Sequence, residues 1–328
     1  MKKNNLKFNS PIWLLTTQRS GSNLLTKMLD NHSKICGPVI AYLITFLDKI
    51  NSSSLTITKK KLLINKFFDS KIGSWKLKNL KKINFSNNIL DYICHIFLKE
   101  MELNKKQFLF IKENKLSKQY KIIKKISNNP RFIFLTRDPR DMALSWKKMP
   151  NLRGGIFRAT NEWVNDQKDF FKFKKKLKKD KFIDIRYEDL TQNKIVTQKK
   201  ICKFLNIKFE KKIINFYENK ETQRISKSQP GWNNLSKSIF KNSNKYLKEL
   251  NNNEIAYIEY RTFKLLKKNR YKICNRKLDR KKFKIIEKEM ILKNNKLMNK
   301  KEYLKLSNKQ RARFEKLSKT INMVSNLN

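Results

Sequence analysis

The sequence predicts an α/β fold of three layers, in which a central, mainly parallel sheet lies between helices, with a helical extension at the C-terminus. Three short apolar runs have the composition of buried strands, Ile12–Leu15, Phe108–Ile111 and Phe132–Leu135, and Phe182–Ile185 is a fourth expected strand. Longer segments with apolar residues at helical spacing separate them, so strands and helices alternate along the chain. With 328 residues, 39% of them hydrophobic, the chain can bury one large core or two small ones.

The first strand leads into a short polar turn and then a helix. Such a turn presents free backbone N–H groups and the positive end of the helix dipole, which together favour an anion such as phosphate. Arg19 adds a fixed charge in this turn, beside the residues Ser20, Gly21, Ser22 and Asn23. The turn lacks the GxxxxGK[ST] pattern of nucleotide triphosphatases. An ordinary strand–turn–helix with an incidental arginine remains the alternative.

A second candidate anion site follows the strand Phe132–Leu135. Arg137 ends that strand, and the next residues, DPRD, suit the first turn of a helix, with Asp138 as the N-cap. Ser145 lies about two helical turns beyond Asp138, so both occupy one face of the helix. The Arg137 guanidinium and the Ser145 hydroxyl can therefore converge on one anion. The alternative is a surface ion pair and an unrelated helix serine.

Three further residues are candidates for catalysis. Lys112 and Glu113 end the strand Phe108–Ile111 and project at the carboxyl edge of the sheet, where open α/β folds bind ligands. Lys112 could contact a transferring group and Glu113 could act as a base. His32, just after the first helix, could accept a proton. The alternatives are a solvated charged pair at a strand end and a histidine placed for packing.

These motifs resemble those of the sulfotransferases that use 3′-phosphoadenosine 5′-phosphosulfate (PAPS), over about residues 8–270. RSGS at residues 19–22 is similar to their 5′-phosphosulfate loop, and RDPRDMALS at residues 137–145 to their RxPRDxxxS motif, which binds the 3′-phosphate. The resemblance implies a P-loop-like sulfotransferase fold and transfer of a sulfuryl group to an acceptor hydroxyl or amine, without a metal. It implies that Arg19 and the loop hold the 5′ side of PAPS with help from Lys112, and that Arg137 and Ser145 hold the 3′-phosphate.

Two softer matches follow. Tyr187, in RYEDL, is similar to a family tyrosine that lies near the adenine, although a core tyrosine is the alternative. Lys237 lies in a polar loop that resembles the family's late basic loop, which closes over the 3′-phosphate. Many members carry a glutamate base where this chain has GPVI at residues 37–40, so the resemblance leaves the base open. The acceptor class, whether glycan, lipid, peptide or small metabolite, is open too.

Composition bears on the alternative functions of the protein and on its location. The net charge of +51 comes from lysines spread over nearly every segment, which favours a coding bias over a nucleic-acid-binding face. A kinase-like phosphotransferase and a nucleic-acid-binding protein remain the alternative functions.

The four cysteines lack zinc-site spacing and are expected to be buried thiols in a reducing compartment. The polar N-terminus shows no signal peptide and no apolar run is long enough to span a bilayer, so we expect a cytoplasmic location. Residues 271–328 form the basic, helical extension.

Overall fold

A five-stranded parallel sheet is the centre of the computed structural model, which describes residues 6–69, 75–79, 88–149, 152–227, 231–274, 279–298 and 307–327. The strands are β1 (Phe8–Asn9), β2 (Ile12–Thr16), β3 (Ile35–Cys36), β4 (Phe108–Lys112), β5 (Ser127–Asn128), β6 (Arg131–Thr136) and β7 (Phe182–Arg186). In the sheet their order is β3-β4-β2-β6-β7, and β1 pairs separately with β5. Each of these pairings is parallel, which confirms the predicted fold class.

Helices cover both faces of the sheet. The helices are α1 (Ser22–Asp30), α2 (Leu47–Ser52), α3 (Ile57–Asp69), α4 (Ile89–Leu103), α5 (Tyr120–Ile126), α6 (Pro139–Lys147), α7 (Gly155–Lys174), α8 (Tyr187–Gln192), α9 (Lys194–Leu205), α10 (Lys220–Ser226), α11 (Tyr246–Glu249), α12 (Asn252–Lys268), α13 (Arg280–Met298) and α14 (Asn308–Ser325). Helices α2–α5 pack on one face, and α1 and α9 pack on the other.

The central strand β2 shows why the apolar runs form buried strands. Successive side chains point to opposite faces, so Trp13 and Leu15 enter the core under α2–α5, whereas Ile12 and Leu14 enter the core under α1 and α9. All five residues of β2 are buried. A strand between two layers of helices therefore needs a continuous apolar run rather than an alternating one.

One predicted helix is largely wrong. The apolar composition of the stretch from Val39 to Ile50 predicts a helix, but helix begins only at Leu47. The backbone N–H groups of Leu43, Ile44 and Thr45 instead donate hydrogen bonds to the Glu113 carboxylate, at 2.7–2.9 Å. A distant side chain thus satisfies amides that a helix would have satisfied locally.

Most of the described residues of the C-terminal extension lie in the helices α13 and α14. Phe283, Ile286 and Met290 of α13 pack against α7 and α12. Leu317 and Val324 of α14 join the core under α2–α5, so the extension is packed onto the main fold.

Two expectations from composition can be compared with the structure. Cys36, Cys94 and Cys202 are buried as expected, but Cys274 is exposed, so that prediction is wrong for the fourth cysteine. Among the helices that the structure describes, none combines the length and the apolar character required to cross a membrane.

Candidate functional site

A cavity at the carboxyl edge of the sheet collects residues from four distant segments. It encloses about 790 Å³ of empty space, part of it open to solvent. Eight of the nine residues predicted to bind a cofactor line it: Arg19, Gly21, Ser22, Asn23, Arg137, Ser145, Tyr187 and Lys237. Strands β2 and β6 are neighbours, with Thr16 paired to Leu135, so the segments that follow them emerge side by side. The sheet topology thus brings the two predicted anion sites together.

Two arginines and a serine meet in this cavity. The Nε–H of Arg19 donates to Ser145 Oγ at 3.2 Å, and Arg137 donates from Nη1 to the Arg19 carbonyl oxygen at 3.0 Å. Arg137 also donates from Nη2 to the carbonyl oxygen of Asn242 at 3.0 Å, and its guanidinium lies 4.3 Å from the centre of the Tyr187 ring. Each arginine is therefore held in place by uncharged groups.

The electrostatics of the cavity favour an anion. Burial lowers the pKa of Arg19 to about 10, and repulsion from Arg137 is the next cause. Within the described part of the chain, neither guanidinium has a carboxylate at ion-pair distance. The Nε–H of Arg137 is buried and has no hydrogen-bond partner among the described residues. An anion would supply both the missing charge and the missing acceptor.

The turn after β2 leaves backbone groups free to face the cavity. Ser22 is the first residue of α1, and the first N–H groups of a helix have no intrahelical acceptor. Gly21 has φ +88°, and a Cβ built on it would lie 2.2 Å from Cδ2 of Tyr187. Only glycine therefore allows the turn to pack against this ring.

The second motif also fixes a distant loop in place. Asp138 caps α6, with Oδ1 accepting from the Arg140 N–H at 2.9 Å, as predicted. Arg140 is 2% exposed and pairs with Asp138 and with Glu259 of α12. Asp141 accepts backbone N–H groups of Asn244 at 2.6 Å and Tyr246 at 3.1 Å. Besides its place in the first turn of α6, Asp141 thus holds the late loop, residues 231–245, over the cavity.

That late loop contains site residues that the sequence did not single out. Trp232 and Asn242 line the cavity, and the side-chain N–H of Asn242 donates to the Tyr187 hydroxyl at 3.0 Å. The loop has no apolar periodicity, so no pattern distinguishes these residues from their polar neighbours. Ser20 is the predicted cofactor-binding residue that does not line the cavity, and it is fully buried behind it.

The three predicted catalytic residues lie outside this cavity. Lys112 lines a small adjoining cavity, which shares Asn23 and Trp232 with the first. Glu113 is 2% exposed and its carboxylate accepts backbone hydrogen bonds from residues 43–45. His32, at the far end of α1, has its Nε2 2.9 Å from the Lys208 carbonyl oxygen, and its Nδ1 accepts from the Lys34 N–H.

The described residues contain no group of three or more histidine, cysteine, aspartate or glutamate side chains placed to hold a metal ion.

Comparisons with known proteins agree with this architecture. Residues 11–211 match the model of the Sulfotransferase family. The chain is similar to the sulfotransferase domain of the olefin synthase from Synechococcus PCC 7002, with 18% identity and a TM-score of 0.61, over 83% of this chain and 98% of that one. It is also similar to the sulfotransferase domain from the curacin biosynthetic pathway, with 19% identity and a TM-score of 0.53, over 81% of this chain and 99% of that one. At such identities the likeness shows the fold alone. No curated protein matches the chain.

Proposed function

We propose, since this chain belongs to the sulfotransferase family, that it transfers a sulfuryl group from PAPS to a hydroxyl or amine of an acceptor. The observation that carries the choice of donor is the cavity of Arg19 and Arg137, two guanidiniums with no ion-pair partner in the described chain. A ligand with one phosphate at each end of an adenosine supplies a counter-charge for both. Adenosine 3′,5′-bisphosphate, the product left by PAPS, has this form.

Each part of the cavity has a role in holding the donor. Arg19 and the N–H groups of residues 20–23 bind the 5′-phosphosulfate, as anions bind at a helix N-terminus. Arg137 and Ser145 bind the 3′-phosphate, and the orphan Nε–H of Arg137 donates to it. Tyr187 lies near the adenine. Lys237, exposed on the late loop, adds charge at the mouth of the cavity.

The chemistry requires positioning and neutralisation of charge more than covalent participation by the protein. By analogy with phosphoryl transfer, the acceptor oxygen attacks in line with the bond to the leaving phosphate. Arg19 stabilises charge that develops on that phosphate, and Lys112 assists from the adjoining cavity. The acceptor is a glycan, lipid, peptide or small metabolite.

Titration calorimetry with adenosine 3′,5′-bisphosphate tests the donor assignment. Arg137→Ala removes charge-assisted hydrogen bonds, so the affinity should fall by about 2–3 kcal/mol, a factor of roughly 30 to 150, while the fold survives. Arg224→Ala is the matched control, because that arginine is exposed and pairs with Glu221 away from the cavity. Unchanged affinity in Arg137→Ala would contradict the assignment.

A thermal-shift comparison separates this function from a kinase-like one. The bisphosphate should raise the melting temperature more than ATP with Mg²⁺ at equal concentration, because ligand that binds only the folded state stabilises it. Stabilisation by ATP–Mg²⁺ alone would favour a phosphotransferase. A screen of acceptor classes with sulfur-labelled PAPS would then identify the acceptor.

A further inference from the structure

A second cavity adjoins the donor cavity, the name used from here on for the cavity of Arg19, Arg137, Ser145 and Tyr187. Residues 16–18 line it, whereas Arg19, the next residue, lines the donor cavity. Trp146 also lines it, next to Ser145 of the donor cavity. The second cavity encloses about 1150 Å³ of empty space, part of it open to solvent. A molecule in it would therefore lie next to the turn that carries Arg19.

Helix α7 presents two carboxylates to this second cavity. Glu162 and Asp166 are four residues apart and so lie on one face of the helix. Between them is Lys115, whose Nζ lies 2.5 Å from Glu162 Oε2 and 2.7 Å from Asp166 Oδ1. Two carboxylates and one ammonium give these three side chains together a net charge of minus one.

The two carboxylates differ in accessibility. The side chain of Asp166 is 7% exposed, whereas that of Glu162 is 30% exposed. Burial raises the pKa of Asp166, and Lys115 partly offsets this. Glu162 is the carboxylate that a molecule in the cavity can reach, and Asp166 holds Lys115 beside it.

Thr17 places a hydroxyl group in the same cavity. It is 1% exposed, and its hydroxyl lies beside the Asp166 carboxylate and lowers the pKa of that group. Asp166 is thus engaged by both Lys115 and Thr17, whereas Glu162 is the more exposed carboxylate of the pair.

The apolar side chains in the walls of this cavity indicate which kind of acceptor it could hold. The apolar side chains that line the cavity come from three regions of the chain: Phe46, Trp146, Leu152 and Ile321. Ile321 belongs to α14, so the C-terminal extension closes one side. An acceptor with an apolar body fits these walls, with its hydroxyl directed to the carboxylates on α7.

We propose that Glu162 is the general base of sulfuryl transfer and that the second cavity receives a hydroxyl acceptor with an apolar body. This inference rests on the proposed function. The acceptor oxygen forms a bond to sulfur as the bond between sulfur and the bridging oxygen of the 5′-phosphate breaks. The electron pair of that bond leaves with adenosine 3′,5′-bisphosphate, and the acceptor's proton passes to the Glu162 carboxylate and then to water.

The other ionisable groups that line this cavity are less suited to that role. They are Tyr42, Lys115, Arg153, Arg158 and Asp166. Burial raises the pKa of Tyr42 to about 12, so it holds its proton at neutral pH. Lys115, Arg153 and Arg158 carry positive charge and so are poor proton acceptors, and Asp166 is buried. Glu113 and His32 lie outside both cavities.

Single-turnover and steady-state transfer from sulfur-labelled PAPS test the assignment, with 2-naphthol, 1-octanol or water alone as acceptor. Glu162→Gln should lower kcat about 100-fold or more, as loss of a general base does, and leave bisphosphate affinity unchanged. Glu162→Asp should retain part of the rate. Wild-type kcat should fall at acid pH, where the base is protonated, and Glu162→Gln should lack that fall. Glu102→Gln, an exposed glutamate paired with Lys99, is the matched control.

The outcomes separate this inference from the proposed function. Transfer by Glu162→Gln at the wild-type rate, or with the wild-type pH profile, would overturn the role of Glu162 alone. Absence of labelled product from a wild type that binds the bisphosphate, with both alcohols, would overturn the hydroxyl acceptor with an apolar body and the role of Glu162 with it. Absence of bisphosphate binding by the wild type would instead overturn the proposed donor. Loss of bisphosphate binding in Glu162→Gln would show that the residue supports the fold of the donor cavity, and would also refute the proposal.

Discussion

Replacing Arg140 by methionine should destabilise the fold by about 3–5 kcal/mol, although Arg140 does not line the donor cavity. Its guanidinium is 2% exposed and pairs with Asp138 and Glu259, whose side chains are 6% and 2% exposed. Methionine removes the charge but fills much of the volume, so two buried carboxylates lose their counter-charge. Domains are commonly stable by about 5–15 kcal/mol, so this loss is a large fraction of the total.

Urea unfolding measures this loss. With a slope of about 3 kcal/mol per molar, the midpoint should fall by about 1–1.7 M at constant slope. Arg137→Met is the matched comparison, because Arg137 stands three residues earlier and donates only to carbonyl oxygens. It should cost less stability and lose bisphosphate binding instead. A midpoint for Arg140→Met equal to or above that of Arg137→Met would refute this division of roles.

Two further predictions concern single residues near the sheet edge. Gly21→Ala should destabilise the protein by about 2 kcal/mol or more and weaken bisphosphate binding. The new Cβ would clash with the Tyr187 ring, and alanine disfavours the backbone angle of φ +88° at this position. An unchanged melting temperature would contradict this. Burial raises the pKa of Glu113 to about 7, so the folded state binds its proton more tightly than the unfolded state does. The free energy of unfolding should therefore fall by about 2–3 kcal/mol as pH rises from about 4.5 to 7. Glu113→Gln should remove most of this dependence, as urea titrations across that range would reveal, and an equally steep dependence in the variant would contradict it.

The sequence predicted the parts of the structure that local chemistry determines. Each of the four predicted strands is present; the inner strands β2 and β6 are buried and apolar along almost their whole length, whereas β7 at the sheet edge exposes Asp184. The residues following β2 and β6 were predicted to be anion sites from turn and helix-terminus chemistry, and they line one cavity. Parallel neighbouring strands make that meeting a consequence of topology.

The sequence did not predict what depends on distant partners. From its position at a strand end, Glu113 was predicted to be either a catalytic base or a solvated charge. In the structure its carboxylate is buried and accepts hydrogen bonds from the backbone of residues 43–45, a segment whose sequence does not indicate a loop. Asp141 suits the first turn of a helix in the sequence, but its contacts with Asn244 and Tyr246 depend on the path of a loop about 100 residues later. Glu162 belongs to no sequence motif, and only its position beside Lys115 in the fold makes it a candidate for catalysis.

The donor cavity differs from other basic parts of this chain because its arginines are buried without a carboxylate partner. Positive charge alone would not distinguish it. In a chain with a net charge of +51, the presence of a lysine or an arginine does not by itself indicate an anion site. Arg140 and Arg137 belong to one motif, yet the fold gives Arg140 two carboxylates and leaves Arg137 with carbonyl oxygens and an orphan N–H. Burying a cation in this way costs folding free energy that the pair at Arg140 does not incur to the same extent. An anionic ligand would recover that free energy on binding. In the proposed function, one arginine of the motif therefore stabilises the fold and the other selects the ligand.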